Sequence, residues 1–431
     1  MEKLNYELLE FIHSSPTAFH AVNNARIRLV EDGYTELFES DGWLLENGGR
    51  YFVRRGDSSL IAFRIPDDDF DGYQIVASHT DSPCFKLKPS FEMTDKGYLR
   101  ISADKYGGAV LSSWLDRPLS VAGRIFVKEN SKIVSRLVDS KDCTALIPSL
   151  APHLKADKDT PLSPSLDMYA LLGEAKDDGT LIKQLATSAG VDPESIVSHD
   201  LYLVNRQKGY VWGENNSFVS SPRLDDLQCV FASLKGFLLS SDEANVPVFA
   251  IFDREEVGSE SANGGASTFL PEVLERISFA MGKSRAQHFT LLANTFFISA
   301  DNAHAVHPNH PEATDPHNKG YLNSGIAIKH NAMGRYVTDA ESSAIIKAIC
   351  KSADLPCFDY TNPTGIQGGS TLGHIMQTQL SVAGADVGLP QLAMHSSYET
   401  AGARDTEYAF RFFSAFFGSH IYKIGNCFSI E

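Results

Sequence analysis

Four short apolar runs in this chain each end in a residue able to hold a metal ion or move a proton. Gln74-Ile75-Val76-Ala77-Ser78 leads into His79-Thr80-Asp81, and Val246-Pro247-Val248-Phe249-Ala250-Ile251-Phe252 leads into Asp253-Arg254-Glu255-Glu256. Phe296-Phe297-Ile298-Ser299 leads into Ala300-Asp301, and Gln391-Leu392-Ala393-Met394 leads into His395. Runs that are apolar at consecutive positions suit strands buried on both faces, as in a sheet flanked by helices. Sheets of that kind bind ligands just beyond the carboxyl ends of their strands. Helical spacing between the runs, at Leu227 to Ser240 and Ser342 to Ala353, supplies the flanking layers. The expected fold is α/β, with a mixed central sheet flanked by helices.

The rest of the chain divides by its patterning. Leu4, Leu8, Leu9 and Ile12 predict one helix, and Phe19 to Val30 predicts a second that ends near Gly33. A hairpin is expected around Arg50 to Arg64. From about Pro89 to Ser221 the pattern changes to β-like alternation, as in Gly97-Tyr98-Leu99-Arg100-Ile101 and Gly123-Arg124-Ile125-Phe126-Val127, with a helical stretch near Leu181 to Ala189. This segment reads as a second domain inserted into the first, giving a catalytic domain of residues 1–89 and 222–431 and an insert of residues 90–221. At 431 residues the chain is long enough for two cores.

Composition excludes several classes of partner. Lys and Arg total 38 against 54 Asp and Glu, a net charge of −16 that repels phosphate backbones and anionic lipid headgroups. Neither nucleic acid nor membrane is an expected partner. Cys84, Cys143, Cys229, Cys350, Cys357 and Cys427 are scattered, without the dense framework of a disulfide-stapled secreted domain, so reduced thiols are expected. The start lacks an apolar leader, and no run reaches the roughly 18 apolar residues of a membrane span. A cytoplasmic setting follows as the expectation.

A hydrolytic site built on two metal ions needs imidazole nitrogens, several carboxylates, one of them shared, and a further carboxylate to take a proton from water. His79 with Asp81 two residues on suits a ligand whose tautomer is set by a neighbour, although His-x-Asp serves equally as a structural cap. Asp225, in Arg223-Leu224-Asp225-Asp226 ahead of a helix, is either an N-cap or the bridging carboxylate. Glu255-Glu256 places two carboxylates at the end of a core strand, an arrangement that a cation would relieve. One of the pair can hold metal while the other faces water. Asp301 and His395 complete the set. His304-x-x-His307-x-x-His310 is less suited, since Pro308 and Pro311 forbid the helix that would align the rings. There is no Gly-x-Ser-x-Gly elbow and no Gly-Lys-Ser/Thr phosphate loop.

These pieces, in this order, closely resemble the M18 family of metallopeptidases, the aspartyl aminopeptidase family. The matching stretches are Ser15-Pro16-Thr17-Ala18-Phe19-His20-Ala21-Val22, Ser78-His79-Thr80-Asp81-Ser82-Pro83 and Ser221-Pro222-Arg223-Leu224-Asp225-Asp226. They continue in Phe252-Asp253-Arg254-Glu255-Glu256-Val257-Gly258-Ser259, in Ser299-Ala300-Asp301-Asn302-Ala303-His304-Ala305-Val306-His307-Pro308-Asn309, and in Ala393-Met394-His395-Ser396. The resemblance implies a zinc exopeptidase-like fold with an inserted dimerisation domain, and two zinc ions per subunit. His79 and Asp301 would belong to the metal site, Asp225 would bridge, and Glu256 and His395 would complete the ligands. Glu255 would be the general base and Asp81 would orient His79. Lys329 and Tyr336 resemble the region that reads an acidic side chain, and Met394 would adjoin the substrate. Peptides with N-terminal Asp or Glu are the implied substrates. The resemblance further implies a tetrahedral dodecamer built from dimers, with His153 reaching a neighbour's site. Asp226 departs from the Asn of many relatives, and Ser149 from a second His in some. Two other readings use the same ligands, a neutral-residue (Leu-type) aminopeptidase of the same family and a zinc amidohydrolase or deacylase. A third, a metal-stabilised shell, would leave Glu255 without a purpose.

Overall fold

The computed structural model describes residues 2–141, 144–154, 160–177, 179–240 and 244–431. Nine strands form the central sheet, in the order Thr35–Leu37, Arg50–Arg55, Ser59–Arg64, Val246–Phe252, Tyr73–His79, Phe296–Ala300, Ala383–Gly388, Ile326–His330 and Cys357–Thr361. Its middle four strands run parallel, while Ser59–Arg64 and Ile326–His330 pair antiparallel to them on either side. The sheet is mixed, as expected. The hairpin at Arg50–Arg64 and the helices Glu2–His13, Ala18–Glu31, Leu224–Leu239 and Ala340–Ser352 also lie where the sequence places them.

Consecutive apolar residues in the middle strands are explained by two separate cores. In Val246–Phe252, Phe249 and Ile251 pack into one core, while Val246, Val248, Ala250 and Phe252 pack into the other. Tyr73, Ile75 and Ala77 alternate with Val76 in the same manner. The first core is covered by Glu2–His13, Ala18–Glu31, Leu224–Leu239, Ala340–Ser352 and Asp405–Phe417, the second by Phe269–Ala280 and Leu372–Leu380. Each such Val, Ile or Phe contributes about 1.5–3 kcal/mol by leaving water, which holds the strand ends in fixed positions.

Two further sheets bear on the site. Six antiparallel strands, Lys132–Asp139, Leu119–Glu129, Ile196–Asn205, Cys84–Asp95, Tyr98–Tyr106 and Ala170–Glu174, enclose a third core with the helix Thr180–Ala189. A five-stranded sheet runs Tyr210–Trp212, Phe218–Ser221, Glu399–Gly402, Pro390–Leu392 and Ala303–His304. The run before His395 belongs to this sheet, not to the central one. The fourth parallel strand of the central sheet is Ala383–Gly388, and the chain leaves it through Leu389 before pairing Pro390 with Ala303. Two short apolar runs so close together cannot be assigned to one sheet or two by pattern alone.

Cys84, Cys229, Cys350, Cys357 and Cys427 are free thiols; Cys143 lies outside the described residues. Among the described residues, no helix is long and apolar enough to cross a membrane.

Candidate metal centre

Register places the first ligand candidates side by side. His79 ends its strand opposite Phe252, and the chain beyond Phe252 turns immediately into Glu255 and Glu256. The neighbouring strand Phe296–Ala300 ends one residue before Asp301. Asp225 enters from the turn after Phe218–Ser221, with a cis peptide joining it to Asp226, and His395 enters from the turn after Pro390–Leu392. Glu255 and Glu256 sit in a tight turn, Glu255–Val257, which the chain enters through Arg254 in a left-handed conformation at φ 65°.

Asp225 is at the centre. Its Oδ1 lies 3.2 Å from His79 Nε2 and its Oδ2 lies 3.6 Å from His395 Nε2. His79 Nε2 is also 3.9 Å from Asp301 Oδ1, and His395 Nε2 is 3.4 Å from Glu256 Oε2. Among the described residues three groups of potential ligand atoms lie within 4.8 Å of one another: His79 with Glu255 and Glu256, and two sets made of the five expected ligands, His79 with Asp225 and Asp301, and Asp225 with Glu256 and His395. The latter two share Asp225. Glu255 stands beside both sets, within the same distance of His79 and Glu256.

Asp81 lies behind the ligands. His79 Nδ1 is 3.1 Å from the Asp81 backbone carbonyl and 3.5 Å from its carboxylate. That carboxylate mainly serves the adjacent turn, accepting the Glu255 N–H at 3.1 Å, the Glu256 N–H at 3.2 Å and the Tyr106 hydroxyl at 2.7 Å. Lys329 is buried, donates to the Asn302 carbonyl at 2.8 Å and lies 3.4 Å from Asp301 Oδ2. The Tyr336 ring centroid is 5.5 Å from its ammonium. Met394 is half-buried beside His395. His153 lies in the exposed turn Pro152–Leu154 and joins no ligand cluster among the described residues, and neither do His304, His307 and His310.

The charges are unbalanced without a cation. Burial first, then Asp225, pushes the Glu256 carboxyl well above its usual range, and burial with Asp301 and Asp81 lifts Glu255 to about 8 against the pull of His79. For His79, burial opposes protonation, but Asp225, Asp301 and Asp81 outweigh it and hold the imidazolium far above its ordinary range. Asp301 is kept ionised, at about 2, because Lys329 and His79 overcome its burial. Asp225 Oδ1, Asp226 Oδ1 and Glu256 Oε1 are buried without a hydrogen bond. Orphaned buried carboxylate oxygens beside imidazoles fit divalent cations, and the mixed His and carboxylate set suits zinc.

Several participants escape a reading of the sequence. Asp226 accepts the His79 N–H at 3.2 Å, and Glu399 accepts N–H groups of both Asp225 and His395. Gly107 and Gly108, at the end of the second sheet's strand Tyr98–Tyr106, lie against Glu256 and His395 so closely that a Cβ on Gly108 would stand 2.7 Å from His395 Nδ1. The Gly-Gly doublet is the one signal that could have suggested such an approach.

An α/β sheet with this acidic, imidazole-bearing cluster beyond its strand ends defines a metal-dependent hydrolase. Residues 11–417 match the family described as Aminopeptidase I zinc metalloprotease (M18). The chain is 40% identical over 426 residues to a probable M18 family aminopeptidase 2 of Clostridium novyi, covering 96% of this chain and 98% of that protein. It superposes on the Ape4 chain solved with Nbr1 at a TM-score of 0.93, 34% identity, 96% of this chain and 85% of that one. For the mApe1 dodecamer of S. cerevisiae the TM-score is 0.85, at 28% identity and 96% of both chains. The chain belongs to the M18 aminopeptidase family, a family of zinc metalloprotease hydrolases.

Proposed function

We propose that this chain is a two-zinc aminopeptidase that removes N-terminal residues from peptides, with preference for Asp and Glu. The observation that carries this reading is the pair of ligand sets sharing Asp225, which use all five expected ligands and leave Glu255, grouped with His79 and Glu256, for the attacking water. His79 and Asp301 would serve one ion, Glu256 and His395 the other, and Asp225 both. When bound, the zinc pair supplies Lewis acidity to water and to the scissile carbonyl. Glu255 takes the proton from the attacking water and returns it to the leaving amine. Asp81 keeps Glu255 in reach by holding the N–H groups of the Glu255-Glu256 turn.

For the substrate side chain, Lys329 offers a third N–H beyond those directed at Asn302 and Asp301, and Tyr336 offers a hydroxyl. Met394 would line the same side. The contact between Lys329 and Asp301 also favours a second reading, a Leu-type preference, because that cation already has a counter-charge. The same proposal takes residues 1–89 and 222–431 as the catalytic unit and residues 90–221 as a dimerisation unit. Likeness to the S. cerevisiae dodecamer supports a homo-oligomer, in which the exposed His153 would reach a neighbouring subunit's site. Free thiols and an acidic composition suit a cytoplasmic setting.

Steady-state hydrolysis of Asp-, Glu-, Leu- and Lys-p-nitroanilide by zinc-loaded protein tests the reading, with Glu255→Gln as control. Asp or Glu substrates should be cleaved fastest, and the control should lose ~10²–10⁴-fold in kcat while retaining zinc. A Leu preference would discard the acidic pocket. Full activity in the control would remove Glu255 as the base.

A further inference from the structure

Glu399 is a buried carboxylate that the proposed chemistry does not use. It opens the strand Glu399–Gly402, and its partner in register across the antiparallel pair is Ser221. Just beyond Ser221 the chain turns through Pro222 and Arg223, at φ 57°, to reach Asp225. Four residues before Glu399 stands His395, in a second turn with φ 66°. The register therefore sets one carboxylate between two turns, each carrying a ligand candidate. Glu399 Oε2 accepts the Asp225 N–H at 3.0 Å, and Oε1 accepts the His395 N–H at 2.9 Å. The groups acting on it are those two N–H groups, the Leu224 N–H and the Asp225 carboxylate.

A buried carboxylate is costly unless its oxygens are satisfied. Here the donors are the backbones of two residues that belong, with Glu256, to one ligand set. Both turns are left-handed at a non-glycine residue, a conformation that persists only where surrounding contacts hold it. The outer strand pairing ends at Ser221, so ladder bonds do not hold Asp225 in place. Glu399 ties the Asp225 and His395 N–H groups to one carboxylate, while their carbonyls accept separately from Ser82 Oγ at 2.8 Å and from the Val110 N–H at 3.0 Å.

We propose that Glu399 is the positioning residue for the ion held by Asp225, Glu256 and His395, setting the spacing of two ligands through their backbones without touching the ion. This rests on the two-zinc reading above. Removing a group that holds a metal ligand in place weakens metal binding by ~10–100-fold. The loss should fall more heavily on that ion, because Glu399 holds two of its ligands but only the shared Asp225 of the other, whose His79 and Asp301 backbones are held by the Asp226 carboxylate and the Val387 carbonyl.

The test titrates metal-stripped wild type, Glu399→Gln, Glu399→Ala and His395→Ala with Zn²⁺ against a competing chromophoric chelator. Wild type should take two ions per chain. In both Glu399 variants one ion should weaken ~10–100-fold and the other, which shares only Asp225 with it, by a clearly smaller factor. Glu399→Gln should weaken that ion little further when added to His395→Ala, since both act on the same position. Unchanged binding of both ions, equal weakening of both, or full additivity with His395→Ala would overturn the proposal. If Glu399→Ala does not fold, Glu399→Gln keeps the volume and carries the same expectations alone. A wild type that binds one ion overturns the two-zinc reading, and Glu399 is then judged by whether that ion weakens at least about tenfold in Glu399→Gln.

Discussion

Lys329 holds its ammonium 3.4 Å from Asp301 Oδ2, and both groups are buried. Burial works against the charge on each, yet the Lys329 ammonium is raised above its ordinary range and Asp301 is held at about 2. Each keeps the other ionised. Lys329→Met would leave Asp301 without that partner, and breaking a buried pair from one side costs ~3–5 kcal/mol. The variant should melt lower in metal-free protein and recover part of the loss on adding Zn²⁺. If Lys329 also reads the substrate, the ratio of kcat/KM for Asp- over Leu-p-nitroanilide should fall at least about tenfold.

Zinc uptake should release protons. Glu255 at about 8, Glu256 well above its usual range and the elevated His79 all carry protons in metal-free protein at pH 7. An ion must displace the Glu256 and His79 protons, and its charge favours loss of the nearby Glu255 proton, so apparent affinity should fall as pH drops from about 8 to 6. Calorimetric titrations in two buffers of different ionisation enthalpy measure the protons released. A pH-independent affinity would contradict the protonation states described here.

The Gly107-Gly108 segment brings the second sheet against the ligands. A methyl on Gly108 would stand 2.7 Å from His395 Nδ1, whereas one on Gly42 meets nothing within 4 Å. Gly108→Ala should displace His395, at a cost of ~1–3 kcal/mol from overpacking. Its kcat/KM should fall ~10–100-fold with loss of bound zinc. Gly42→Ala should behave as wild type in the same zinc and activity assays.

His20 gives the fold a sensitivity to acid. Burial lowers its pKa from 6.5 to about 4, so the folded state keeps the ring neutral. A lowered histidine pKa means that stability is lost as pH falls, beginning at the unfolded value of 6.5 and complete below about 4. The loss is ~3 kcal/mol. Chemical denaturation at pH 7 and pH 4 should show a smaller difference for His20→Asn than for wild type.

The cluster was legible wherever a strand leads into a ligand candidate. His79, Glu255, Glu256 and Asp301 follow apolar runs directly, and sheet order then sets them side by side. His395 follows such a run too, but its strand pairs in another sheet, which local pattern does not encode. Glu399, Tyr106 and Gly108 lay beyond reach for a different reason. Each acts on residues far away in sequence, Gly108 on His395 and Glu399 on Asp225, and a contact of that kind leaves no periodicity to read. Lys329 shows the opposite problem, since its charge was legible while its partnership with Asp301 was not.

The five acidic and imidazole ligand candidates arrive from widely separated parts of the chain, the first at His79 and the last at His395, with the second sheet's strands between them. A partial polypeptide leaving the ribosome therefore carries His79 and Asp225 long before it carries the opposite half of the cluster. The order of synthesis thus leaves the cluster incomplete until the turn bearing His395 has been made and seated.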